Sequence, residues 1–286
     1  MSMPQPNPGY RGDSSLGVGQ IVNDAWNTSI KSYLGLFFLN LPILIAAVAS
    51  FGADSQSMFS ADGSAMEQMV RDNMGRFITL EVLIFIVSIV CSCAMTRILY
   101  DRYVGAPVSD REAAVTGAKR SLPAIGLLLI FIAAYVVFAF VVALILALLQ
   151  GVLGFLALIL AIGLAILFLY LVFPYVLSGI VCINEELGPI ASLRRSKYLT
   201  SDYRWPLLAV SLVAVVVMAV YQGIILGLDY LMAPAAFGHT ILLVFVALIY
   251  PLLGGWVIGL FVIAAHRLRA LKDGVISGRN LSNVFE

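Results

Sequence analysis

The sequence predicts an all-α, polytopic integral membrane protein: six transmembrane helices joined by short interfacial amphipathic helices. Three observations carry this. First, 61% of the 286 residues are hydrophobic and 12% are charged, the latter about half the share of a soluble domain. Mean hydropathy is +1.00, and a water-soluble fold has too little interior to hide that much apolar surface. Second, the apolar residues gather in runs of about 20 or more, the length that crosses a hydrocarbon core. Third, those runs lack strand-like alternation, which leaves helices, whose backbone bonds close within the segment. The same arithmetic excludes a soluble enzyme and a disordered chain. With 17 basic and 16 acidic residues the net charge is +1, so bulk charge points to no polyanion and no nucleic acid as partner.

Residues 1–32 read as a cytoplasmic tail with an amphipathic helix. Pro4, Pro6, Pro8 and Gly9 leave no apolar core for a cleavable signal, so the first apolar run is expected to act as the insertion signal. Val18, Ile21, Val22, Ala25, Trp26, Ile30 and Tyr33 fall on one face at helical spacing. This predicts a helix over about 16–31 lying in the membrane interface, with Trp26 at headgroup depth.

The six-helix domain is expected over 33–265. Span one covers Tyr33–Phe51, where Asn40 is placed to bond backbone freed by Pro42. In the loop that follows, Met66, Met69, Val70 and Met74 share a face and suggest an outer interfacial helix. Span two covers Phe77–Ile98. Ser109-Asp110-Arg111-Glu112 has the form of a capping box. It predicts a short helix with Ala113, Ala114, Gly117 and Ala118 as a small-residue face, ending near Pro123.

No charge occurs from Leu122 to Ile183. That stretch is too long for one span and suits two, Leu122–Leu149 and Phe155–Ile183, turning at Gln150-Gly151 and Gly154. Pro174 is expected to kink the second of them. Pro189 suits the first turn of a short helix ending near Leu199. Spans five and six follow over Trp205–Leu228 and Thr240–Ala265, and 266–286 is read as a cytoplasmic tail. Gly254, Gly255 and Gly259 suggest close helix packing in span six.

Basic residues fix the expected direction. Arg71 and Arg76 lie in the loop after span one, and every other lysine and arginine lies on the opposite side. The positive-inside rule then puts both termini in the cytoplasm. The three cytoplasmic segments share a design, an interfacial helix followed by a helical hairpin, so the chain can be read as a threefold repeat. The plainer reading is that any six-span protein has basic loops before its odd-numbered spans. Both stand at this point.

One stretch carries a resemblance. Phe173-Pro174-Tyr175 is followed by Asn184-Glu185-Glu186-Leu187-Gly188-Pro189, then by Ala191-Ser192-Leu193-Arg194-Arg195-Ser196-Lys197-Tyr198-Leu199-Thr200, then by Trp205. It resembles the membrane-domain family of glycerophosphoryl diester phosphodiesterases and related uncharacterised bacterial six-helix proteins. The resemblance implies their helical fold and a bacterial cytoplasmic (inner) membrane. Ser201-Asp202 stands where that family often carries a glycine, and the phosphodiesterase domain of some relatives is missing. The resemblance therefore implies no activity.

Two sets of residues are candidate sites. Trp26, Lys31, Arg194, Arg195, Lys197 and Arg204 could meet anionic lipid headgroups or another membrane protein subunit. The competing reading pairs the basic residues of 194–197 with Glu185 and Glu186. Glu81 is a carboxylate inside a predicted span, and Asp229 and His239 lie on the same outer side. Gln222, Tyr135, Tyr170, Tyr221 and Tyr250 are candidates to line a polar crevice. Cys91, Cys93 and Cys182 lie in apolar runs without metal or redox spacing and read as small buried hydrophobes.

The sequence offers no HExxH, GxSxG or aspartate dyad within its spans. No catalytic residue, cofactor or metal site is expected. The expected function is non-catalytic association, as an accessory subunit or scaffold of a membrane complex or as an organiser of lipid. The alternative is a transporter of a small molecule or lipid.

Overall fold

The computed structural model describes residues 16–52, 63–149, 154–232 and 238–273. Among the described residues all regular structure is helical. In order, the helices are α1 (Val18–Lys31), α2 (Tyr33–Gly52), α3 (Gly63–Val104), α4 (Asp110–Lys119), α5 (Ser121–Leu149) and α6 (Gly154–Val172). A 3₁₀ turn (Phe173–Tyr175) precedes α7 (Ser178–Asn184), α8 (Pro189–Thr200), α9 (Arg204–Met232) and α10 (Gly238–Asp273). Five segments are long and apolar enough to cross a membrane: Glu81–Val104, Ser121–Ala147, Ile159–Asn184, Arg204–Leu228 and Val244–Asp273. The first expected span is a 20-residue helix, α2. It qualifies only as a shorter apolar helix, Tyr33–Pro42, because its side chains beyond Pro42 lie outside the described residues.

Several boundaries differ from the sequence reading. The expected outer interfacial helix is the first part of α3, one continuous helix of 42 residues. The side chains of 66–74 lie outside the described residues. Pro174 does break its span, turning the backbone through the 3₁₀ segment. Span six does not end at Ala265. It runs on to Asp273, and Leu268 of the expected tail is fully buried.

Three short helices fold back along the ends of longer ones. Helix α4 starts on its capping box, in which the Ser109 hydroxyl accepts from the Glu112 N–H and the Glu112 carboxylate accepts from the Ser109 N–H. It then lies against α3, with Gly117 over Cys93 and Ala94. Helix α8 returns along α7, where the Ser196 hydroxyl donates to the Pro174 carbonyl at 2.9 Å and the Thr200 hydroxyl lies within reach of both that carbonyl and Ser196 O, at 3.1 and 3.0 Å. The helix breaks at Pro174, and the buried Ser196 hydroxyl supplies its carbonyl with a donor.

Helix α1 docks on α10, the last of the described helices. The Trp256 indole N–H donates to the Val22 carbonyl, and Gly259 faces Ala25 and Ser29. Arg267 pairs with Asp24 at 2.7 Å and donates to the Gln20 side chain at 3.1 Å. Ile21 and Ala25 are fully buried there. Part of the apolar stripe of α1, at Ile21 and Ala25, therefore faces protein. The structure adds to the sequence reading for a physical reason: an amphipathic stripe says that a face must leave water, and not what covers it. Only the flank of that stripe stays open. Trp26, Ile30, Leu34 and Phe38 are exposed at four-residue spacing across the α1–α2 joint.

The main core follows from these three packings. Leu177, Val181, Leu199, Leu207, Leu260 and Ile263 all belong to it, together with the buried stripe of α1. A second cluster joins Leu36, Met95 and Leu99, with Gly255 against Leu36. Both lie where the short helices fold back. The hairpin of α5 and α6 has almost no buried side chains in its apolar windows. Its two helices meet through stacked Phe138 and Phe168, with ring centroids 4.3 Å apart.

Candidate functional site

A cleft of about 1100 Å³ lies between α5, α6 and α7 on one side and α3, α9 and α10 on the other. Its walls are nearly all hydrocarbon: Phe85, Leu128, Phe131, Leu169, Leu212 and Phe261 are representative. Six hydroxyls line it, and the protons of four of them are committed. Ser88, Thr96 and Ser211 each donate to the carbonyl four residues earlier on their own helix, at 2.7–2.9 Å. Ser178 donates to Tyr175 O at 2.6 Å. A polar solute would find few donors left, whereas a hydrocarbon chain needs none. On α3 the lining runs from Phe85 to Thr96, about 16 Å of helix at 1.5 Å per residue. That is close to half the roughly 30 Å hydrocarbon thickness of a bilayer.

Charged groups gather at the end of the molecule where the short helices pack. Arg195 bridges Glu185 at 3.0 Å and Asp273 more closely, tying α8 to the α7–α8 turn and to the end of α10. These carboxylates hold its guanidinium pKa above the usual arginine range. Lys272 meets Asp202 at 2.8 Å and the Tyr198 ring at 4.9 Å. Hydrogen bonding and the charge of Lys272 hold the Asp202 carboxyl below its usual pKa. Arg120 pairs with Glu186, whose φ of 58° is the left-handed turn that starts the reversal into α8. Arg97 pairs with Asp101 at 3.0 Å.

This separates the expected headgroup contacts into two kinds. Arg195 is spent on two carboxylates. Lys31, Arg194 and Lys197 are exposed and, among the described residues, form no ion pair. Trp26 is 40% exposed on the outer flank of α1. Arg204 is half-buried at the start of α9. It donates to the Tyr170 hydroxyl at 3.1 Å and lies 5.7 Å over that ring.

The second expected set does not assemble among the described residues. Glu81 is exposed on α3, and the side chains of Asp229 and His239 lie outside the described residues. The polar crevice does not form either. Tyr135, Tyr170, Tyr250 and Gln222 are exposed, and only Tyr221 is buried. Asn40 donates to Leu36 O at 2.8 Å and reaches Met95 Sδ at 3.3 Å, joining α2 to α3. The three cysteines are free and buried. No cluster of His, Cys, Asp or Glu suited to a metal ion occurs among the described residues.

The sequence reading missed the cleft. Its residues come from five separated segments of ordinary Leu, Ile, Phe and Ser, so no local pattern marks them. Compared with protein-family models, with curated proteins and with solved structures, the chain matches none.

Proposed function

We propose that this is a non-catalytic, multi-pass membrane protein that binds a membrane lipid from the side, holding an acyl chain in the cleft. The cleft carries the reading. It is apolar, four of its six hydroxyls are satisfied by backbone carbonyls, and its extent on α3 matches one leaflet of hydrocarbon. A transporter of small polar solutes is the less favoured reading, because the cleft presents neither paired charges nor unwound backbone. Association with other membrane proteins is compatible with the same surface, since the exposed faces of α5 and α6 are mostly apolar among the described residues.

The orientation has α2 as a sixth span and both termini cytoplasmic, in a bacterial inner membrane. The uneven basic residues support the cytoplasmic termini. The cleft then opens to the cytoplasmic leaflet. A Lys197→Cys variant lacking the native cysteines should react with a membrane-impermeant maleimide only after the cells are opened. Reaction in intact cells would reverse the orientation.

The threefold repeat gains support from three similar crossings. A buried small pair at four-residue spacing recurs as Ala25/Ser29 in α1, Ala113/Gly117 in α4 and Ser192/Ser196 in α8. Each short helix packs on the end of a span, and α1 uses the last span to close the ring.

Lipid binding is tested by native mass spectrometry of protein extracted in mild detergent. Wild type should retain phospholipid at near one per chain. Ser211→Trp, which puts an indole into the cleft, should lose it while keeping the same thermal unfolding midpoint. Equal retention by both proteins would rule the cleft out.

A further inference from the structure

Arg204 stands apart from the other half-buried arginines. Arg97, Arg120, Arg195, Arg267 and Arg269 each have a carboxylate within 4.0 Å. Arg204 has none among the described residues. Among the described residues its one side-chain hydrogen bond is the one to Tyr170, and its Nε is buried with no acceptor. A partly desolvated guanidinium without a counter-charge is costly unless an anion completes it.

Its position says which anion. Arg204, Leu208, Ser211 or Leu212, and Val215 follow one face of α9 at helical spacing, and the last four line the cleft. On α6, Tyr170 adjoins Leu169 and lies three residues before Phe173, both of which also line it. Helices α6 and α9 otherwise make little contact with each other. The Arg204–Tyr170 bridge therefore crosses the rim of an opening between them. Next to it, Trp205 is 81% exposed, as an aromatic side chain at a membrane–water boundary would be. We infer that Arg204 binds the phosphate of the lipid whose acyl chain fills the cleft, with the Tyr170 ring supporting the guanidinium. This rests on the cleft reading and narrows the ligand to a phosphate-bearing lipid. A guanidinium offers paired donors that match phosphate oxygens, and Tyr170 occupies only part of that donor set.

The experiment compares two lipids with the same tails, phosphatidylglycerol and diacylglycerol, offered to delipidated full-length protein in detergent and read by native mass spectrometry. Wild type should prefer the phospholipid by roughly tenfold or more, the range of a charge-assisted hydrogen bond. Arg204→Gln should bind both lipids equally, at the diacylglycerol level. Arg204→Lys, which keeps the charge, should recover part of the preference and guards against misfolding of the glutamine variant. Inorganic phosphate should not compete.

If wild type binds both lipids alike, or Arg204→Gln keeps the preference, the headgroup assignment is wrong while the cleft stands. If neither lipid binds and Ser211→Trp changes nothing, the cleft reading itself fails. Competition by inorganic phosphate would make the site one for free anion and would overturn the lipid assignment.

Discussion

Gly117→Val should cost about 3 kcal/mol or more of stability and detach α4 from α3. A Cβ at this position would stand 2.5 Å from the Cys93 carbonyl oxygen and 2.8 Å from the Ala94 Cα. Both atoms belong to the backbone of a long helix and cannot turn aside, so α4 must move as a whole. Two other glycines supply controls. Gly163 has nothing within 4 Å of its Cβ position, so Gly163→Val should be close to neutral. At Gly255 the neighbour is the tip of the Leu36 side chain, which can rotate, so Gly255→Ala should fall between them. Thermal unfolding in detergent checks the order: Gly117→Val lowest, then Gly255→Ala, then Gly163→Val beside wild type. A Gly117→Val protein as stable as wild type would mean that α4 does not lie where it is described.

Ile21→Asp should be comparably damaging, at about 3 kcal/mol or more, because it places an unpaired carboxylate in a fully buried site. Ile21 is fully buried in the main core beside α10. The carboxylate would have to be protonated, or α1 would have to leave α10 and take the Trp256 and Arg267 contacts with it. Trp26→Asp on the same helix should cost far less, since Trp26 is 40% exposed and faces away from that core. The comparison separates two roles for one amphipathic helix. If the stripe rested on lipid, both substitutions would weaken it alike. If it is a protein contact, Ile21→Asp alone should lower the unfolding midpoint and open the chain to trypsin at Lys31.

Much of this protein's class was legible in its residues because membranes impose few choices. A chain with 61% hydrophobic residues and an uncharged stretch from Leu122 to Ile183 has only helices available to it. The short helices were legible too, since capping and proline rules act over three or four residues. Ser109 and Glu112 form the capping box that their spacing predicts, and Pro189 opens α8. Pro174 breaks its span for an equally local reason.

What each face meets was not legible. The hydrophobic stripe of α1 was readable, but not that it packs on a helix more than 200 residues further along the chain. Charge told a similar half-truth. The basic residues of 194–197 look equivalent in sequence, yet Arg195 is bound between Glu185 and Asp273 while Arg194 and Lys197 face outward. The cleft and the isolated Arg204 depend on how far α5 and α6 stand from α9, a distance set by packing alone. The sequence by itself determined the helices, the caps of the short ones and their need to leave water, because those follow from local hydrogen bonding and hydropathy. Tertiary structure alone decided which apolar faces are spent on one another, which charges are cancelled and where a gap is left open, because each depends on residues distant in the chain.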